Sequence, residues 1–425
     1  MIFLVKKRVY LCIDFKSFYA SVECVERGLD PLSALLVVAD PERGRGTICL
    51  AVSCALKGLG VKNRCRVFQI PSHIPYVTAV PRMKRYIDYS AEIYGLYLKY
   101  MAKEDIHVYS VDEAFLDITD YLSLYQASPE DLARQIMQDI LRHTGIPSAA
   151  GIGTNLYLAK TALDLLAKHS PENLASLDEE SYQKSLWRHR PLSDFWRIGK
   201  SMEARLNQIG LFTMEDIAKS QEAPLYHAFG RDAELLIDHA FGREPVTIAH
   251  IKNYLPKSRS LSSSQMLPRN YTYEEGMLIL KEMVDSLCLE LAAQGLCAGS
   301  LSLTVDYSWH WGPKPSTAAV PLPVSANSYR CILPHALRCY ERITDKNAPI
   351  RKLSLSFGSV SRETFRQYEL FTSPREQDRD RRLQQAVWDI RRRFGPNALL
   401  RGMDLMEAAT TRERNLQIGG HKSGQ

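Results

Sequence analysis

The sequence predicts a multidomain chain of mixed α/β and α+β class, and three features carry that expectation. Residues 1–166 alternate strand-like apolar runs with helical ones. Residues 167–241 read as helical and compact, and 242–256, with Pro245 and Pro256 and no clear period, read as a linker. Residues 257–372 set strands of alternating polar and apolar residues around a long helix.

The elements follow in order. "VYLCIDF" (9–15) is a near-continuous apolar run, a strand buried on both faces, and it ends at Asp14. "SFYASVECVERG" is helical and closes on Gly28. "SALLVVAD" is a second strand, followed by the basic Gly loop "PERGRGT", then "ICLAVS" and "CALKGLGVKNR". Residues 34–82 thus form a smaller excursion within the first domain. "MKRYIDYSAEIYGLYLKYM" is an aromatic-rich helix spanning about 82–101. "HVYSVDEAFLDIT" (107–119) reads as strand, turn, strand, followed by the helix "PEDLARQIMQDILRHTG", the strand "SAAGIG" and the helix "TNLYLAKTALDLLAKH". After the linker come a strand ("SRSLSSSQM"), a helix from Tyr273, a strand ("AGSLSLTVDYS"), a Pro-rich loop, a helix and a strand ("RKLSLSFGSVS"). Residues 373–425 form a tail with a short amphipathic helix (Leu383, Val387, Ile390, Phe394) among arginines.

Bulk properties narrow the class. With 45% hydrophobic and 24% charged residues the chain is globular, and 54 Lys+Arg against 48 Asp+Glu give +6, compatible with nucleic-acid binding. The nine cysteines show no CxxC pair, so they read as reduced thiols. No export signal and no apolar run of about 18 residues is present, which predicts a cytoplasmic protein without membrane contact. "GIGTNL" fails as a dinucleotide fingerprint because Leu156 stands at the third glycine, and "GKS" at 199–201 fails as a P-loop because Asp194 stands at the first.

A carboxylate constellation remains. Asp14 ends one buried strand, and Asp112 with Glu113 occupies a turn between two others. Strands of one sheet lie about 5 Å apart, so acids at their ends can converge on a cation pair. An oxygen-only donor set without His or Cys suits Mg²⁺ completed by substrate phosphates. Asp117 lies well down the second strand and reads as structural. The aromatic pair Phe18 and Tyr19 follows within a helical turn, and Lys57 and Lys160 sit at or near helix starts after strands, where they could reach a triphosphate.

Together "IDFKSFYASVE", "YSVDEAFLDIT" and "GIGTNLYLAK" resemble the Y-family DNA polymerases, the translesion enzymes of the DinB/UmuC type, across roughly residues 9–372. "SCALKGLGVK" resembles the UmuC branch more than DinB. The resemblance implies a right-handed polymerase. Its ferredoxin-like palm would be 1–17 and 83–166, its small fingers 18–82, its helical thumb 167–241, its linker 242–256 and its α+β little finger 257–372. It implies catalytic, metal-binding roles for Asp14, Asp112 and Glu113, with the Phe15 carbonyl as a backbone ligand of two Mg²⁺ ions, or Mn²⁺ in their place. Tyr19 matches the steric gate against ribose, with Phe18 beside it, and Lys57 and Lys160 match triphosphate contacts. Ile198, Gly199 and Lys200 match the DNA-gripping turn of a helix-hairpin-helix.

Lys16 stands where many members carry Asp, and should point away from the metals or meet phosphate. Cys54 replaces a triphosphate-contacting Tyr. In "RQYELFTSP", Gln367, Tyr368, Leu370 and Phe371 fit the peptide that bacterial replication proteins insert into the sliding clamp, with Tyr368 in place of the usual Leu. The implied activity is low-fidelity DNA-templated synthesis on primer-template DNA from dNTPs, in SOS-type damage tolerance, with accessory subunits as further partners. A non-catalytic damaged-DNA-binding relative and a nucleotide cyclase are the rival readings.

Overall fold

The computed structural model describes residues 7–308, 313–363 and 373–424. Two compact units divide it, one ending at Tyr254 and the other starting at Leu255.

The first unit opens with strand β1 (Tyr10–Phe15) and helix α1 (Phe18–Val25). A small sheet follows, built from β2 (Leu36–Val38), β3 (Ala51–Val52) and β4 (Val77–Ala79), with α2 (Cys54–Gly58) after β3. Next come α3 (Met83–Tyr97), β5 (Ile106–Val108), β6 (Glu113–Asp117), α4 (Tyr121–Tyr125), α5 (Pro129–Thr144), β7 (Ser148–Gly153), α6 (Leu156–Thr161) and β8 (Leu174–Leu177). The larger sheet has the order β5-β6-β1-β7-β8, and β1, at its centre, is antiparallel to both neighbours. A central strand is covered on both faces, which explains the unbroken apolar run of "VYLCIDF". Leu11, Ile13 and Phe15 pack with Ile136 and Ile140 of α5 and Ile93 of α3. Tyr10 and Cys12 point the other way, onto Leu156 and Ala159 of α6.

Local sequence sets these elements. The Ser128 hydroxyl accepts from the Asp131 amide at 3.1 Å, Pro129 opens α5, and Gly145 ends it at φ +69. β8 continues the palm-type sheet past residue 166, pairing parallel with β7. The helices beyond are α7 (Glu179–Leu186), α8 (Lys200–Gln208), α9 (Met214–Lys219), α10 (Glu222–Phe229) and α11 (Asp232–Ala240), gathered around Leu206, Met214, Ile217 and Leu236. The stretch read as a linker contains α12 (Ile248–Asn253), capped by Thr247, whose Ile248 packs with Tyr10 and Phe115. Two prolines hid a six-residue helix that lies between them.

The second unit holds β9 (Leu261–Tyr271), α13 (Tyr273–Ala293), β10 (Leu296–Tyr307), β11 (Ser316–Ala326), α14 (Tyr329–Ile343) and β12 (Ile350–Gly358), with sheet order β11-β10-β12-β9. The expected Pro-rich loop is corrected here: Pro321 and Pro323 lie within β11. β11 is an edge strand, the position in a sheet where a missing amide is tolerated. One sheet face buries Leu301, Leu303, Leu353, Leu355 and Phe357 with α13 and α14. The opposite face is a lattice of hydroxyls, in which Ser264 meets Ser354 at 2.8 Å and Thr304 meets Thr317 at 3.0 Å.

The tail is part of this unit. Its helix α15 (Pro374–Phe394) is 21 residues long rather than short, and Gln384 Nε2 donates to the carbonyls of Cys288 and Asn327, each at 2.9 Å. Two carboxylates of α13 are buried beneath the tail. Glu282 accepts from the Thr410 hydroxyl at 2.9 Å and from the Thr410 and Thr411 amides. Asp285 pairs with Arg401 at 2.6 Å. The clamp-type residues Gln367, Tyr368, Leu370 and Phe371 lie outside the described residues. Among the described residues no helix is long and apolar enough to cross a membrane.

Candidate active site

The register of the central strands sets the site. Asp14 of β1 lies directly opposite Glu113, the first residue of β6. Opposed residues of an antiparallel pair share a face, so both side chains lie on the side covered by α6. Asp112 precedes the strand at a bend, its carbonyl accepting from the Phe15 amide at 3.1 Å and its carboxylate from the Ser110 hydroxyl at 2.6 Å. The bend takes Asp112 out of the regular alternation of β6, and the charges of Asp112 and Glu113 both act on Asp14. Asp117 lies four residues on, ion-paired with Arg8 at 2.7 Å.

Two lysines of the α6 region meet these acids. Lys160 Nζ donates to Glu113 Oε2 at 2.8 Å, and Lys168 Nζ pairs with Asp14 Oδ2. Asp164 stands between them, 3.0 Å from Lys160 and 2.8 Å from Lys168. Lys168 and Asp164 escaped the sequence reading. Their signal was the spacing of four in "KTALDLLAK", which puts 160, 164 and 168 on one helix side. A π turn over Ala162–Leu166 continues α6 through this segment.

Close approach of helix and sheet makes these contacts reachable. A Cβ on Gly153 would lie 2.1 Å from the Ala159 amide nitrogen, and one on Gly151 would lie 2.2 Å from the Ala159 carbonyl oxygen. The glycines of "GIG" therefore serve helix–sheet contact, a use separate from any dinucleotide loop.

Burial and the facing acids govern the electrostatics. Burial pushes the Asp14 carboxyl up to about 6, Lys168 pulls against it, and the charges of Asp112 and Glu113 push further upward. Burial opposes the Lys160 charge, but Cys12, Asp164 and Glu113 outweigh it and hold the ammonium above its ordinary range. Cys12 Sγ donates to Glu113 Oε1 at 3.3 Å, and its thiol is raised by burial and by that carboxylate.

The aromatic pair divides. Phe18 is buried, in ring contact with Phe15 at 5.7 Å. Tyr19 is half-buried and stacks on Tyr86 at 4.6 Å. Burial and the Asp112 charge raise the Tyr19 hydroxyl while Arg64, absent from the sequence reading, lowers it. Cys54 Sγ lies 3.6 Å from the Ser17 hydroxyl, setting the start of α2 beside the β1–α1 junction. Lys57 is exposed one turn further on. Lys16 turns away from the acids to donate to Asn173 Oδ1. In α8, Ile198 is buried, Gly199 is the N-cap without a side-chain cap bond, and Lys200 is exposed at the first helical position. Free first-turn amides at such a position suit an anion.

Among the described residues no three Asp, Glu, His or Cys side chains close on one point as a ready cation cage. The donors nonetheless fit a hard divalent ion. They are all oxygen, and a cation among them would stabilise the Asp14 charge that burial, and after it the charges of Asp112 and Glu113, oppose. Mg²⁺ also keeps waters and substrate phosphates rather than demanding a full protein cage.

The chain matches the impB/mucB/samB family over residues 13–164 and the C-terminal domain of that family over 258–370. It is 32% identical over 423 residues to the "Putative UV-damage repair protein UvrX" of Bacillus subtilis (strain 168), covering 97% of each chain. The chain belongs to this family, the Y-family DNA polymerases. This Y-family chain is also 28% identical to "DNA polymerase IV 2" of the same organism, covering 98% of this chain and 100% of that protein. Its fold is similar to a solved Y-family DNA polymerase chimera of Dbh and Dpo4, with TM-score 0.64, 22% identity, 83% of this chain covered and 99% of the other.

Proposed function

We propose that the protein is a DNA-directed DNA polymerase of the translesion type, joining an incoming dNTP to a primer 3′-OH with release of pyrophosphate. The observation that carries this reading is Asp14 set opposite Glu113, with Asp112 at the adjoining bend, on the central strands of a chain similar to polymerases along nearly its whole length.

Asp14, Asp112, Glu113 and the Phe15 carbonyl would hold two divalent ions, Mg²⁺ or Mn²⁺. When bound, these supply charge neutralisation at the α-phosphate and the leaving pyrophosphate. The remaining work falls to the chain. Lys168 carries an ammonium group beside the acids, where a triphosphate needs counter-charge, and Lys57 adds one from α2, while the buried Lys160 adds its positive field from the floor, where Glu113 and Asp164 hold it. Tyr19, braced against Tyr86, presents the ring edge that a ribose 2′-OH would strike. The bare N-terminus of α8 at Gly199 takes a DNA phosphate, and the hydroxyl lattice of the second unit offers neutral hydrogen bonds to the backbone of primer-template DNA.

Palm 1–17 and 83–166, fingers 18–82, thumb 167–241 and little finger 257–372 remain our domain reading, with β8 added to the palm and α12 docked on it. "SCALKGLGVK" supports a place near the UmuC branch. A damage-response role in the cytoplasm, accessory subunits and clamp engagement through Gln367, Tyr368, Leu370 and Phe371 complete the proposal. Primer extension with Mg²⁺ and dNTPs tests it. Asp112→Ala and Glu113→Ala should each abolish extension while duplex binding persists, and full extension by either variant sinks the site assignment.

A further inference from the structure

We infer that Lys168 is a built-in placeholder for the divalent cation at Asp14, braced by Asp164 and released when a nucleotide triphosphate arrives. The inference rests on the reading of Asp14 as a metal ligand and adds how that ligand is loaded.

The two lysines are not equivalent. Lys160 has only 8% of its side chain exposed and is held by Glu113 and Asp164, so it is a fixed part of the floor. Lys168 is 36% exposed, so its ammonium has a path outward while its stem stays in place. It nevertheless turns inward and pairs with Asp14, whose side chain is 16% exposed. Asp164 Oδ1, 2.8 Å away, keeps the ammonium at that post and ties it to Lys160 through the other carboxylate oxygen.

Charge explains the arrangement. Without a cation, Asp14, Asp112 and Glu113 repel one another in a half-buried place. An ammonium at Asp14 offsets that repulsion, and a divalent ion entering alone must displace it. A triphosphate brings a new anion for the displaced ammonium, and together with two divalent ions it carries little net charge. Exchange is then more favourable when nucleotide and metal arrive together than for the metal alone. By linkage, nucleotide tightens metal at Asp14 as much as metal tightens nucleotide. Lys168 is thus a positioning residue that acts through Asp14.

Mn²⁺ titration of the full chain without nucleotide, read by the electron paramagnetic resonance signal of the free ion, tests this directly. Lys168→Gln removes the ammonium that occupies Asp14 and opposes a second cation there, so it should bind Mn²⁺ about tenfold tighter. Lys168→Met, which also keeps the length of the stem, should give the same gain if the Gln variant folds poorly. Lys168→Arg, which keeps the charge, should bind as the unaltered chain does. Asp14→Asn in the Lys168→Gln background should remove the gain. If Lys168→Gln and Lys168→Met bind no tighter while Asp14→Asn still weakens binding, the placeholder is overturned and the metal site stands. If Asp14→Asn leaves Mn²⁺ binding unchanged in both backgrounds, the metal-site reading falls and takes the placeholder with it.

Discussion

Gly153→Ala should disable the site without touching a reacting group. The new methyl would lie 2.1 Å from the Ala159 nitrogen and 2.6 Å from the Leu158 carbonyl carbon, both backbone atoms that cannot swing aside. To reach ordinary contact, α6 must retreat from β7 by more than about 1 Å, or the strand must buckle by as much. Lys160 rides on α6, and its 2.8 Å bond to Glu113 cannot survive such a shift unchanged. Overpacking of this kind costs about 1–3 kcal/mol of stability. A displacement near 1 Å at a reacting centre costs roughly 100-fold in rate, far more than the unfolded fraction would account for. The assay is single-nucleotide primer extension under single-turnover conditions, with circular dichroism to measure the folded fraction at the assay temperature. Gly95→Ala in α3 is the control, because its Cβ would meet nothing within 4 Å and should leave extension unchanged. Extension by folded Gly153→Ala at the unaltered rate would refute the claim that helix–sheet approach sets the site.

Three further expectations concern other parts of the chain. Tyr19→Ala should admit ribonucleotides if the ring stacked on Tyr86 acts as the proposed gate against a 2′-OH; unchanged sugar selectivity removes Tyr19 from that role. Replacing Gln367, Leu370 and Phe371 together with Ala should abolish co-elution with a bacterial sliding clamp and leave clamp-free extension intact, and persistent co-elution makes the peptide incidental. Arg401→Ala should strand Asp285, whose next cation, Arg391, stands 3.9 Å away. A buried broken pair costs roughly 3–5 kcal/mol; the exposed side of Arg401 reduces this to about 2 kcal/mol. That loss lowers Tm of the second unit by roughly 4–8 °C. A calorimetric scan that shows no shift would mean the tail is not coupled to α13.

Much of the candidate site is legible in the sequence because its signals are local. Asp14 closes an apolar run, Asp112 and Glu113 are neighbours, and Tyr19 follows within a turn of Asp14. Each of these is a pattern within a dozen residues, where strand or helix periodicity applies directly. Lys168 and Asp164 were legible in principle at a spacing of four, but that spacing says nothing of what the helix faces. The misread stretches share a cause. Proline suggested loop at 321 and 323 and linker near 245 and 256, yet an edge strand tolerates the missing amide and a short capped helix fits between two prolines. The tail looked like an appendage because its partners, Glu282 and Asp285, lie more than a hundred residues away in the chain.

The sequence by itself determined the inventory: which acids, aromatics and lysines exist, which of them cluster along the chain, and that the candidate donors are all oxygen. The tertiary structure decided the relations among them. Strand register put Asp14 opposite Glu113, where a slip of one residue would have turned one of them to the other face. Two glycines let a helix come close enough for Lys160 to reach Glu113, and the same helix carried Lys168 to Asp14. Register and helix–sheet distance are set by contacts between residues far apart in sequence, so no local pattern encodes them.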